Sequence, residues 1–146
     1  DSWREYLLER FTEKPQIHLL QNGEMSLWSN DSTYTGPNGL LHQGSHIMVA
    51  SYYGDEFSRI DVNTKMKELI TDSIPGGDGI ISYGEHYMVS TWNGEVHFVE
   101  STGKRTLLLD TKTAGQNAAD ICFLFSKKLL LVPTFFGNTV VAYEVK

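Results

Sequence analysis

The chain has 146 residues, with 12 Lys plus Arg against 18 Asp plus Glu and a formal net charge of −6. That sign argues against nucleic acid and anionic membrane as partners, since both present phosphate. Hydrophobic residues at 40% and charged residues at 21% fit a globular chain, and 12% aromatics with 13 Gly and 4 Pro lean towards short strands joined by tight turns.

The chain opens Asp1-Ser2-Trp3-Arg4-Glu5, which is not the basic-then-apolar start of a secretory signal; any signal has been removed, and the compartment stays open. Trp3, Tyr6, Leu7 and Phe11 fall near helical spacing, so residues 1–16 read as an N-terminal arm or short helix outside the repeat that follows. Gln16 to Leu20, Asn22-Gly23 and Glu24 to Trp28 read as the outer two strands of a blade remnant, residues 17–30.

A repeat then runs through the chain. Asn38-Gly39-Leu40-Leu41 aligns with Asp78-Gly79-Ile80-Ile81, an offset of 78 − 38 = 40. At the same offset Ile47 to Tyr52 falls on Tyr87 to Trp92, and Gly54 on Gly94. A third copy starts at Ala119-Asp120-Ile121, 42 residues after Asp78 (120 − 78), and its Leu131 to Gly137 matches the same second segment. The second copy reads as four strands: Gly79 to Ser82, His86 to Thr91 (alternating), Glu95 to Glu100 and Lys104 to Asp110, with Trp92-Asn93-Gly94 a hairpin signal.

A period near 40 with four strands per unit predicts an all-β fold, a β-propeller of four-stranded antiparallel blades. The blades are 38–72, 78–113 and an incomplete one at 120–146, so residues 17–146 form a partial propeller of little more than three blades. Closing a ring requires further blades or a second chain. The longest apolar run, Leu129 to Val132, is far short of the roughly 20 residues of a spanning helix, which predicts a soluble chain. The single cysteine, Cys122, excludes an intramolecular disulfide and, within Ile121 to Phe125, reads as a buried inert thiol.

Gly36-Pro37-Asn38-Gly39-Leu40, Gly77-Asp78-Gly79-Ile80 with Val89 to Gly94, and Ala118 to Ile121 followed by Val132-Pro133-Thr134 together resemble the C-terminal half of the senescence-marker-protein and gluconolactonase family, which includes luciferin-regenerating enzymes. The resemblance implies a six-bladed propeller with one divalent cation, usually Ca²⁺, in its channel, and hydrolysis of a small-molecule lactone or ester. It implies Asn38 and Asp78 as metal ligands and Asp78 as the group that handles the proton during lactone opening. The family's glutamate ligand, on the first blade, has no counterpart in this sequence.

Blade geometry offers independent support. The residue before each innermost strand points towards the propeller axis, so Asn38, Asp78 and Asp120 converge as one amide and two carboxylates, a set suited to a hard cation. Such an ion polarises a carbonyl, and a neighbouring carboxylate serves as general base. The plainer reading stands beside it: Asn-Gly and Asp-Gly are turn dipeptides whose side chains bond their own backbone, and Asp120 draws no support from the family pattern. The alternatives in function are a non-catalytic propeller scaffold and an inactive fragment. Tyr52, Tyr53, Trp92, Phe135 and Phe136, at matching strand ends, pack between blades or form an apolar rim over a substrate. The five histidines (His18, His42, His46, His86, His97) read as surface or blade-packing residues, and there is no nucleophile elbow or phosphate-binding loop.

Overall fold

The computed structural model describes residues 15–145 and the backbone of Tyr6–Leu8. Fourteen strands among the described residues form four antiparallel sheets, each a meander of neighbours in sequence. The first holds β1 (Tyr6–Leu8), β2 (Ile17–Gln21) and β3 (Glu24–Ser29); the second β4 (Pro37–Gln43), β5 (His46–Ser51), β6 (Phe57–Asp61) and β7 (Lys67–Thr71). The third holds β8 (Gly77–Tyr83), β9 (His86–Thr91), β10 (Glu95–Val99) and β11 (Arg105–Asp110); the fourth β12 (Cys122–Leu124), β13 (Leu129–Pro133) and β14 (Val140–Glu144). This is the blade architecture of a β-propeller.

Where the helical spacing of Tyr6 and Leu7 suggested a short helix, Tyr6–Leu8 instead extend the first sheet, with Tyr6 opposite Leu19 and Leu8 opposite Ile17. A free strand edge at β2 outweighs a weak local preference, because each pairing satisfies backbone groups on both strands. The remainder of that proposed arm, including Trp3 and Phe11, lies outside the described residues. Asn22 (φ 53) and Gly23 (φ 83) both take left-handed backbone, which is the two-residue hairpin turn that an Asn-Gly pair favours.

Three apolar layers separate the four sheets. Ile17, Tyr34, Ile47, Val49 and Ile60 fill the first gap; Met48, Ala50, Phe57, Ile74, Tyr87 and Val89 the second; Met88, Val96, Phe123, Leu130 and Val132 the third. Successive residues of β5 and β9 therefore face opposite layers, and both faces are dry. His86 to Thr91 does not alternate apolar with polar: the five residues after His86 are all buried, as a strand sandwiched between blades requires. Each fully buried Ile or Phe here stabilises the stack by roughly 1.5–3 kcal/mol.

Cys122 is exposed, contrary to the expectation from its apolar run. Strand alternation sends Phe123 into the third layer and turns Cys122 and Leu124 to the opposite face. Among the described residues no helix is long and apolar enough to cross a membrane.

Candidate functional site

β4 and β8, the innermost strands of their blades, begin irregularly at the same place. Pro37 pairs with Ser51 and Gly39 with Ala50, leaving Asn38 as an extra residue; Gly77 pairs with Thr91 and Ile80 with Val89, so Asp78 and Gly79 together oppose Ser90. Bulges of this kind bend a strand and re-aim a side chain. Gly36 (φ 68) and Gly76 (φ 71) set the preceding turns, and their carbonyls accept the amides of Tyr52 and Trp92, both at 2.7 Å.

The glycines that follow Asn38 and Asp78 are not turn residues, since neither has positive φ. They are contact points. A Cβ on Gly39 would lie 1.7 Å from the Asp78 carbonyl oxygen, and one on Gly79 would lie 2.7 Å from the Ile121 amide nitrogen. Only bare backbone lets the innermost strands of successive blades approach this closely. They bring the start of β8 against β4 and the backbone of Asp120 and Ile121 against β8.

Asn38 is half-buried, Asp78 buried and Asp120 exposed. The Asn38 side-chain amide donates to the Gly77 carbonyl at 3.2 Å and to the Asp78 carboxylate. Burial pushes the Asp78 carboxyl up to about 6, the negative charge of Asp120 adds to the rise, and the Asn38 hydrogen bond opposes it. Asp78 thus combines proximity to a second carboxylate with a proton affinity matched to neutral pH, the profile of a general base.

Among the described residues no group of three or more His, Cys, Asp or Glu could hold a metal ion. Asn38, Asp78 and Asp120 offer oxygen donors of the right hardness, but a Ca²⁺ ion takes six to eight oxygens. The set fits part of a cation shell and falls short of a whole one.

Ser90 is a supporting residue that sequence reasoning passed over. It is fully buried, its hydroxyl accepts the Gly79 amide at 2.8 Å and donates to the Ala119 carbonyl at 2.8 Å, and so it links the Asp78 bulge to the residue before Asp120. Its only sequence signal is that it puts a polar residue where the previous blade has Ala50. Asn117 plays a similar part, donating to the Trp92 carbonyl at 2.8 Å. Two histidines are engaged elsewhere. His97, 2% exposed, lies beside Glu95 at 3.3 Å in β10, and burial lowers its proton affinity; His86 accepts the Ser101 amide at the far end of β9.

No family model matches the sequence, and no curated protein matches it. Solved structures do. A crystal structure provisionally assigned as a gluconolactonase aligns with a TM-score of 0.68 at 21% identity, over 93% of this chain and 47% of that one. A computationally designed protein, Ika4, aligns with a TM-score of 0.61 at 9% identity, over 98% and 87%. A chain of a nidogen/laminin complex gives 0.59 at 14%, over 89% and 68%. At these identities the likeness is one of fold, a β-propeller. The chain spans about half the length of the gluconolactonase structure it matches.

Proposed function

We propose that these blades belong to a lactone or ester hydrolase of gluconolactonase-like type that uses a divalent cation, Ca²⁺ by preference. The observation that carries this reading is the approach of Asn38 and buried Asp78, at bulged starts of successive innermost strands, with the charge of Asp120 near Asp78 and the Asp78 carboxyl raised to about 6. The likeness to a structure assigned as a gluconolactonase supports it.

Asn38, Asp78 and Asp120 would hold the cation through oxygen atoms, and the bound ion would supply polarisation of the substrate carbonyl. The chain's own groups do the rest. At pH 7 a carboxyl titrating near 6 is mostly ionised, so Asp78 can take a proton from an attacking water and return it to the leaving alkoxide. Asn38 steadies that carboxylate by donating to it, and Ser90 fixes the bulge that aims it.

Calorimetric titration with Ca²⁺, alongside a lactone-hydrolysis assay, tests the reading. Saturable binding and turnover, both reduced more than tenfold in Asp78→Asn, are expected; neither binding nor turnover in the wild type would overturn it. The shortage of carboxylate ligands among the described residues favours a second reading, a non-catalytic propeller scaffold, which that negative result would leave standing.

A further inference from the structure

The layer between the second and third sheets is filled by Met48, Ala50 and Phe57 on one side, Tyr87, Val89 and Val99 on the other, and Ile74 from the loop between them. One polar ring shares it. His97 stands two residues before Val99 in β10, so strand alternation turns its side chain into the same layer, where it is 2% exposed. Both flanking sheets are in place, and the burial needs nothing further to complete it.

The ring has a carboxylate at one nitrogen and nothing at the other. Nε2 lies 3.3 Å from the Glu95 carboxylate, so the neutral ring carries its hydrogen there and donates it. Nδ1 is buried with no hydrogen-bond partner among the described residues. The surrounding charges do not invite a second proton. Glu95 also binds the Lys112 ammonium, which lies 3.6 Å from Asp110 as well. Arg105 of β11 donates to the Ser73 carbonyl, next to Asp72, at 2.6 Å, and both Arg105 and Lys112 oppose a charge on His97. On the second sheet Arg59 shares the face of Phe57 and approaches the layer at Tyr87, paired with Glu68 at 2.7 Å; His46 and Asp61 stand opposite each other at the end of that sheet. A second proton on His97 would leave an N–H with no acceptor and a cation in an apolar layer, and burial already lowers the ring's proton affinity.

The strand start that carries Asp78 is tied to the same place. Thr91 of β9 is opposite Gly77 on one side and Glu95 on the other, and its hydroxyl accepts the Glu95 amide at 3.2 Å. Gly77 in turn lies against the second sheet, where an added Cβ would be 3.0 Å from the Ser51 carbonyl.

We propose that His97 is an acid-sensitive latch: neutral, it seals the second sheet to the third, and on taking a proton it opens that layer and loosens the start of β8 with Asp78. The latch acts whatever the site binds, so it does not rest on the hydrolase reading. Its sign follows from burial. The ring regains its ordinary proton affinity, near 6.5, only when the layer opens and water reaches Nδ1. Opening is therefore constant above pH 6.5 and grows about tenfold per pH unit below it, one proton being taken up, until the closed form is itself protonated.

The test is amide hydrogen exchange from pH 7.5 to 5, corrected for its intrinsic pH dependence, with NMR titration of His97 in the whole chain. Two amides report on the layer: Ile74, which donates to the Asp55 carbonyl at 2.9 Å, and Trp92, which donates to the Gly76 carbonyl. The wild type is compared with His97→Gln, which stays neutral and keeps a donor for Glu95. Asp78 titrates in both proteins and cancels. Protection of Ile74 and Trp92 in the wild type is expected to fall about tenfold against His97→Gln between pH 6.5 and 5.5, while β2–β3 amides of the first sheet keep pace in both. Parallel profiles in the two proteins, or a His97 ring titrating at 6.5 or above, would overturn the latch. If His97→Gln does not fold, Asp78→Asn decides, since it lacks the carboxyl that offsets the effect: protection of Ile74 that stays flat from pH 7.5 to 5 in that variant overturns the latch, and a fall below 6.5 supports it.

Discussion

β4 and β8 begin alike, with a left-handed glycine, a one-residue bulge and a buried glycine pressed against the next innermost strand, yet they carry different charge. In β4 the bulged side chain is the half-buried amide of Asn38, and the facing residue on the second strand is Ala50. In β8 it is the buried carboxylate of Asp78, and the facing residue is Ser90, whose hydroxyl stands in for ladder bonds that the bulge removes. The neutral start needs no support beyond its pairing. The charged start is held in place by a buried hydroxyl and pushed towards neutrality by burial and then by Asp120, so one scaffold position carries different charge and different support in the two blades.

The harshest way to break this pair is to remove the shared glycine. Gly39→Ala should destabilise by more than about 3 kcal/mol in urea unfolding, because its Cβ meets backbone and not a movable side chain; Gly79→Ala should cost somewhat less. Gly44→Ala, where nothing lies within 4 Å but φ is +61, should cost only about 1 kcal/mol. A cost for Gly39→Ala no larger than that for Gly44→Ala would mean the innermost strands are not in contact.

Making the second blade's partner resemble the first is gentler. Ser90→Ala leaves the buried Gly79 amide without its acceptor and should cost about 1–3 kcal/mol, whereas Ala50→Ser, with no such amide to satisfy, should gain nothing. Equal effects would deny Ser90 its linking role.

Neutralising the charged start should stabilise. Since Asp78 titrates near 6 when folded and near 3.8 when unfolded, the folded state holds its proton longer, and stability falls as pH rises from 3.8 to 6. Asp78→Asn should therefore match the wild type at pH 3 and exceed it by about 1–2 kcal/mol at pH 7, the full shift being reduced by solvent on the open side. His97 works in the opposite direction, its contribution being complete above 6.5 and lost as pH falls, but it is common to both proteins and cancels in the difference. A constant difference across pH would contradict the buried carboxylate.

The smallest effect sharpens the comparison by making both starts acidic. Asn38→Asp replaces the Asn38 hydrogen bond with a second negative charge, so NMR titration should find the Asp78 carboxyl above 6, with stability at pH 7 changed by less than about 1 kcal/mol. An unmoved titration would place the two side chains out of reach of each other.

Much of the fold was readable in advance, because a 40-residue offset held by Asn38/Asp78 and Ile47/Tyr87 is a long-range regularity that no local ambiguity erases. The same arithmetic aligned Asn38 with Asp78, and both are bulge residues of innermost strands, whereas Asp120 lies two residues before β12. The errors were local. Cys122 sits in an apolar run that faces two ways, Tyr6–Leu8 joined a waiting strand edge, and Gly39 and Gly79, in pairs that resemble turns, are contacts between strands.

What the sequence determined by itself is therefore the repeat, the blade pattern and the residues at each strand start, since these follow from periodicity along the chain. What only the tertiary structure decided is which glycine touches which strand, that Ser90 links the Asp78 bulge to Ala119, that Asp78 is buried near a second carboxylate, and that His97 is buried between two sheets. Those depend on how neighbouring blades approach each other, and distances between blades are set by packing across the chain, not by any spacing along it.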